Sequence, residues 1–468
     1  MESAHLNFDS AGWGPFNLSL PQIPGLDPTD DLSRLSTFVD FGQKIVRKEE
    51  PEDDFLLVDN KLQSQPKLLG KFLQQKSATA SKQKQATVTR APTVQRPATK
   101  RTYREQTVAI QSSWALIAEL SKPNNDKLAY EVSAPEDVAE YGVLMTYRKT
   151  QDGQVTPSKP KVLNSKQADL KQINTTTASA DPVLESIKGS ANVLITDTVL
   201  ATLMAMSRSV YPWDIKVTKS NGKIVFDKSE DSVIDQLTMN ENNPEHMPDE
   251  DEPEASPNNP KKLSEEALRV NRAFLHESLI EPSQKLGSVQ TDEPGVFKYR
   301  KWTIGDYQIL VRTEIDAVTV EDGVTVPLRL FAINEYDSNI TGGYADKLET
   351  RKGFIFSNEI KNNSCKMSKW ALKAQLAGVE FVRIAYVTRQ HFASPDKHNL
   401  LSVQKIRTKD LLQNLNLAYN NSWGVFKFVL DTIKNQPDAK YAIVKDPLKQ
   451  VVRIYKEFEE IDEDFEAS

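Results

Sequence analysis

The chain has 468 residues, 38% hydrophobic and 26% charged, and a net charge of −6. That length can bury a large core, but the composition is polar for one compact globule and implies long segments that do not pack. A single cysteine, Cys365, excludes an internal disulfide framework. No stretch approaches the length of a membrane span, so an intracellular, cytoplasmic chain is expected.

Residues 1–60 carry isolated apolar islands around Trp13, from Leu35 to Phe41, and from Asp54 to Asp59. Polar spacers without a sustained period make this a partner-docking tail rather than a core. From Lys61 to Arg104 there are eleven Lys and Arg and no acid. Residues 61–106 therefore read as a disordered basic linker, either a contact for phosphate backbones or an extended spacer. Order begins near Thr107. Residues 107–456 form the folded domain, and 457–468 are an acidic tail.

Within the domain, Thr198 to Arg208 reads as a central helix, apolar on most sides and N-capped by Asp197. Tyr211–Val217 and Lys223–Phe226 flank Asn221-Gly222, the signature of a tight hairpin. Met239–Pro260 contains five prolines and seven acids: Glu241, Glu245, Asp249, Glu250, Asp251, Glu252 and Glu254. It is expected not to pack and to form an inserted loop over about 240–259. Leu263–Leu279 predicts a helix with Leu268, Leu275 and Leu279 on its apolar stripe. After Phe297 the chain reads mostly as strand as far as Glu359-Ile360-Lys361. A helix at Lys366–Leu376, a strand at Phe381–Thr388 and a helix at Trp423–Ile433 follow. A closing hairpin of Tyr441–Val444 and Val451–Tyr455 turns at Asp446-Pro447. The fold class is α+β, a curved mixed sheet with packed helices.

The chemistry-bearing pattern lies in Phe331–Asp337 and Phe354–Lys361. Read as strands, they place Glu335 with Asp337, and Glu359 with Lys361, on shared faces. If these are neighbours, they make one cleft with Glu314. Carboxylates plus a lysine suit a two-metal phosphodiester site; for the pattern alone, strand ends with solvated charges are the commoner outcome. Tyr211 and Trp213 either offer an aromatic face for stacking or belong to the core. Asp197 either accepts hydrogen bonds from a ligand or caps its helix, and capping is the better reading of the residues. His246, His276, His391 and His398 lack metal-ligand spacing. Cys365 sits beside Lys366 and Lys369, which would lower its pKa, but no histidine is near enough in sequence to make it a nucleophile.

Gly12-Trp13-Gly14-Pro15, Thr196–Met204, Ser207–Asp214, Asn334–Ser338, Glu359–Ser364, Leu376–Gly378, Ser422–Gly424 and Lys445–Pro447 occur in order over nearly the whole chain. In these motifs the chain resembles the family of D subunits of eukaryotic translation initiation factor 3. The resemblance implies a decapping-nuclease-like domain that binds the mRNA 5′ cap. It also implies an N-terminal segment that docks on the e subunit, and an RNA gate at Asn240–Asn259. The other chains of the factor, the small ribosomal subunit and capped mRNA are the implied partners, with no membrane. Family cap positions fall on Asp197, Val210 and Tyr211 of a first helix. On a second helix the family pattern Thr-x-x-Asn-His becomes Leu268, Asn271 and Arg272, keeping only Asn271 while leaving Arg272 to reach a triphosphate. Glu314, Glu335, Asp337, Glu359 and Lys361 match a nuclease-like cluster, but Lys373 stands where those enzymes carry glutamine. The expectation is a binding protein and no enzyme, without cofactor or metal. The alternative is a metal-dependent RNA 5′-end decapping hydrolase or exonuclease.

Overall fold

The computed structural model describes residues 109–165, 176–229, 232–249, 251–286, 295–447 and 449–457. The expected docking tail, the basic linker and the acidic tail after Glu457 lie outside these residues, as does Glu250.

Among the described residues fifteen strands share one mixed sheet. They are β1 (Ala115–Ser121), β2 (Glu136–Tyr147), β3 (Lys161–Leu163), β4 (Val193–Thr196), β5 (Asp214–Ser220), β6 (Lys223–Asp227), β7 (Leu279–Leu286) and β8 (Gly295–Ile304). There follow β9 (Tyr307–Ile315), β10 (Ala317–Glu321), β11 (Val324–Glu335), β12 (Phe381–Arg389), β13 (His398–Arg407), β14 (Ala439–Lys445) and β15 (Val451–Lys456). The order is β1-β15-β14-β5-β6-β4-β9-β8-β2-β10-β11-β12-β13-β3, with β7 beside β2. β2 meets β10 in parallel at Thr146 and Val318, so this junction joins two stretches of sheet. Five helices have eight residues or more among the described residues: α1 (Asp197–Met204), α2 (Pro260–Ser278), α3 (Tyr344–Asn362), α4 (Ser364–Ala377) and α5 (Tyr419–Lys434). The class is α+β.

Local chemistry accounts for the expected elements. Asn221 and Gly222 both take positive φ, 51° and 74°, which is what a two-residue turn needs between right-twisted strands. β14 and β15 close as an antiparallel pair, and β15 then receives β1. All eight residues of α1 are buried, as a helix apolar on most sides must be. It packs in the main core with α4 and α5, where Trp302 meets Trp423 and Phe331 stacks on Trp370 at 4.7 Å. Gly424 lets α5 lie against the chain at Ala129: a Cβ there would stand 2.6 Å from the Ala129 nitrogen.

Three expectations are corrected. Phe354–Lys361 is helix, the second half of α3 after a break at Arg351, not strand. Ile355, Phe356, Glu359 and Asn362 are its buried residues, spaced for one helical face rather than alternating. The buried stripe of α2 runs through Leu263, Ala267, Val270, Ala273 and Phe274; Leu268 and Leu275 are half-buried, and Leu279 begins β7. Thr196, not Asp197, is the N-cap of α1.

Candidate functional site

Alternation along β9 puts Arg312 and Glu314 on one face, and Asp316 follows the strand end. Arg329 comes from β11, Lys373 from α4 and Asp197 from the first turn of α1. Glu314 Oε2 lies 3.1 Å from Arg329 Nη1 and 3.4 Å from Lys373 Nζ, and Glu314 Oε1 is 3.7 Å from Arg312 Nη1. Lys373 Nζ is also 3.7 Å from Asp197 Oδ1 and donates to Thr198 Oγ1 at 2.9 Å. Arg329 Nε approaches Asp316 Oδ2 at 3.3 Å, and Arg312 Nε approaches Asp181 Oδ2 at 2.8 Å.

This is a nearly balanced knot of four carboxylates and three cations. Burial opposes ionisation of Glu314, but Lys373, Arg329 and Arg312 together outweigh it and hold its carboxyl well below the usual range. Burial pushes Asp197 up, with Lys373 the nearest opposing charge. Burial likewise raises Asp316, against Arg329 and a hydrogen bond from the Leu330 amide at 2.7 Å. Asp197 Oδ2 is buried without a hydrogen-bond partner among the described residues. A divalent ion at Glu314 and Asp197 would compete directly with the Lys373 ammonium. Among the described residues no three His, Cys, Asp or Glu are grouped to hold a metal.

The other expected acids sit elsewhere, so the single cleft is corrected. Glu335 is buried and accepts from Thr341 Oγ1, the Tyr344 amide at 2.9 Å and Thr388 Oγ1 at 3.0 Å. Glu359, also buried, accepts from Tyr344 Oη at 2.6 Å and Asn363 Nδ2 at 2.8 Å, and burial raises its pKa. Both carboxylates thus serve the entry and exit of α3. Asp337 caps the short helix Ser338–Thr341 through the Asn339 amide. Lys361 is exposed on α3, where a residue two positions from Glu359 points another way.

The expected cap residues fall into three anchored sets. Asp197 belongs to the charge knot. Val210 and Tyr211 lie in the connection between the turn Met206–Arg208 and β5, not on a helix. There Ser209 Oγ bridges Trp213 Nε1 (3.0 Å) and the Tyr211 carbonyl (3.0 Å), and Trp213 is in the core. A half-open pocket beside this connection is lined by Thr202, Tyr211, Trp213, Glu241, Cys365 and Lys369. Asn271 Oδ1 accepts the Ala332 amide at 2.8 Å, tying α2 to β11, and Arg272 is half-buried next to it. Burial drives the Cys365 thiol pKa upward, against the lowering expected from the adjacent lysines.

The acidic insert packs at its start, contrary to expectation: Asn240, Glu241 and Asn243 are buried. Glu245, Asp249, Asp251 and Glu254 are exposed and Glu252 half-buried. Sequence reasoning missed Asp316, Arg312 and Arg329. It also missed the enclosed network in which Glu266 meets Arg389 Nε at 2.9 Å and His398 Nε2 at 2.8 Å, while Ser165 Oγ lies 2.7 Å from His398 Nδ1. The available signal was a lone charge inside an apolar run, as in Leu328-Arg329-Leu330-Phe331.

The model of the family "eukaryotic translation initiation factor 3 subunit 7" matches residues 41–456. Among curated proteins, the D subunit of that factor from Aedes aegypti is 32% identical over 97% of this chain and 82% of its own. The D-1 subunit from Drosophila grimshawi is 30% identical over 97% and 91%. The D subunit from Homo sapiens is 34% identical over 75% of this chain and 66% of its own. Among solved structures, Candida albicans Rai1 in complex with pU5 and Mn²⁺ has a TM-score of 0.48 at 12% identity, covering 74% of this chain and 94% of that one. S. pombe Rai1 has a TM-score of 0.45 at 12% identity, over 73% and 99%. Likeness at that level carries no argument about chemistry.

Proposed function

The chain belongs to the family of eukaryotic translation initiation factor 3 subunit 7, and from that membership we propose that it is the member of the factor that binds the mRNA 5′ cap without cleaving it. It is a translation initiation factor chain. The finer reading assigns cap contact to Asp197, Val210, Tyr211, Asn271 and Arg272. Residues 1–60 dock on the e subunit, 61–106 form a basic linker, and 107–456 form the cap-binding domain, with the gate at about 240–259. The assembled factor works in the cytoplasm at the small ribosomal subunit.

Asp197 carries this reading. A buried carboxylate oxygen without a donor costs about 1–3 kcal/mol, which a ligand presenting N–H groups, such as guanine, recovers. Lys373 supports binding over hydrolysis, because its ammonium neutralises the two carboxylates that a divalent ion would use. The test is titration of the full chain with 7-methylguanosine triphosphate, and incubation with capped RNA and Mn²⁺. Saturable binding that weakens about tenfold or more in Asp197→Asn, with intact RNA throughout, is expected. Metal-dependent loss of the cap, abolished in Glu314→Gln, would replace this reading with the hydrolase.

A further inference from the structure

The acidic insert opens with an acid that is not in solvent. Glu241 is 3% exposed. Its Oε1 accepts the Val210 amide at 2.8 Å and the Tyr211 amide at 3.4 Å, while Oε2 accepts Thr238 Oγ1 at 2.7 Å. Two successive backbone N–H groups converging on one carboxylate oxygen fix the orientation of that peptide unit. Such charge-assisted bonds are the stronger kind.

The flanking asparagines are equally committed. The Asn240 amide donates to Asn363 Oδ1 at 3.0 Å, and Asn243 Nδ2 donates to Asn362 Oδ1 at 2.7 Å. Asn242 Nδ2 donates to the Arg208 carbonyl at 2.7 Å, and its Oδ1 accepts the Cys365 amide at 2.7 Å. At the far end, Arg389 holds the Pro257 carbonyl at 3.1 Å and Asn258 Oδ1 at 2.8 Å. The exposed acids therefore lie between two pinned ends, and the first pin is the same group that shapes the 210–211 connection.

We propose that Glu241 is a positioning residue for the cap site: its carboxylate sets the backbone of Val210 and Tyr211, so the root of the acidic insert and that connection move as one body. The proposal rests on the reading of Val210 and Tyr211 as cap contacts. It removes Glu241 from the acids that repel RNA and gives it a geometric task. Glutamine can perform that task, since its carbonyl oxygen accepts the same amides and its Nε2 can donate to Thr238 Oγ1.

The experiment compares Glu241→Ala and Glu241→Gln in the full chain. Binding of 7-methylguanosine triphosphate should fall about tenfold or more in the alanine variant and stay within about threefold of the parent in the glutamine variant. Amide exchange at Val210 and Tyr211, measured without ligand, should accelerate in alanine and not in glutamine. Affinity for uncapped RNA should be the same in both. Equal weakening of cap binding in the two variants, or unchanged exchange in alanine, overturns the proposal. If the parent itself does not bind the cap analogue, the cap reading fails while the exchange arm still decides the positioning role. Should the alanine chain not fold, Thr238→Val removes the hydroxyl that steadies the carboxylate. Faster exchange at the same amides then supports the proposal, and unchanged exchange refutes it.

Discussion

Replacing Lys373 by methionine keeps most of the length of the side chain and deletes its charge from the knot. Glu314 retains Arg329 at 3.1 Å and Arg312 at 3.7 Å, so its loss is partial. Asp197 loses the cation 3.7 Å away, and its side chain is only 2% exposed. Removing one partner of a buried pair costs roughly 3–5 kcal/mol, and the surviving guanidiniums argue for the lower end, about 3 kcal/mol near pH 7. The sign of the pH dependence follows from Asp197. Its pKa in the folded chain is already raised by burial, so its contribution is present below the unfolded value and is lost as pH rises through the folded value. Without Lys373 that rise is larger. The deficit of the variant should therefore be greatest at pH 7 and shrink as the pH falls and protonation removes the unpaired charge. Glu314 acts oppositely, its depressed pKa giving stability that is present above the unfolded carboxylate value and lost as pH falls below it toward the folded one. Thermal unfolding of full-length parent and variant should differ by roughly 3–6 °C at pH 7 and markedly less in acid. The same deficit at both pH values, or none, would refute the idea that Lys373 compensates Asp197.

Two other outcomes are open to test. Gly424→Ala gains about 1 kcal/mol of helix propensity, yet its Cβ would stand 2.6 Å from the Ala129 nitrogen and 2.8 Å from its Cα, so net destabilisation of about 1–3 kcal/mol should appear in thermal unfolding, and equal or higher stability would contradict the close approach. Neutralising Glu245, Asp249, Asp251 and Glu254 together, all exposed, should raise affinity for both capped and uncapped RNA at low salt and leave the unfolding temperature unchanged; RNA binding that does not move would deny the insert an electrostatic role.

Elements decided by short-range chemistry were legible. Asn221-Gly222 turned as its residue types require, α1 was buried on all sides, and β14 and β15 paired around Asp446. Phe354–Lys361 misled because its apolar residues fit both an alternating and a helical pattern over so few positions. The longer spacing of Ile355, Glu359 and Asn362 decides for helix. The charge knot was hidden for a different reason. Its members come from α1, β9, β11, α4 and the connections that hold Asp181 and Asp316, and only the folded sheet brings them within 4 Å. Of the expected acids, Glu314 alone joined Asp197 there. Glu241 was misjudged because acid-rich, proline-rich composition predicts solvation on average, and it cannot identify the one carboxylate that a pair of backbone amides draws inside.

The pairing of β1 with β15 has a consequence for how the protein is made. Ser121 finds its partner Val451 roughly 330 residues later in the chain. At ribosomal rates of about 5–20 residues per second, β1 emerges roughly 15–65 s before the strand that covers it exists. Through that interval the nascent chain carries an unpaired strand, with the edge of β5 also waiting for β14. Completion of the sheet is thus deferred until β14 and β15 have been made. A chain that stalls before Val451 leaves two open edges, a form suited to capture by chaperones or by another unfinished copy.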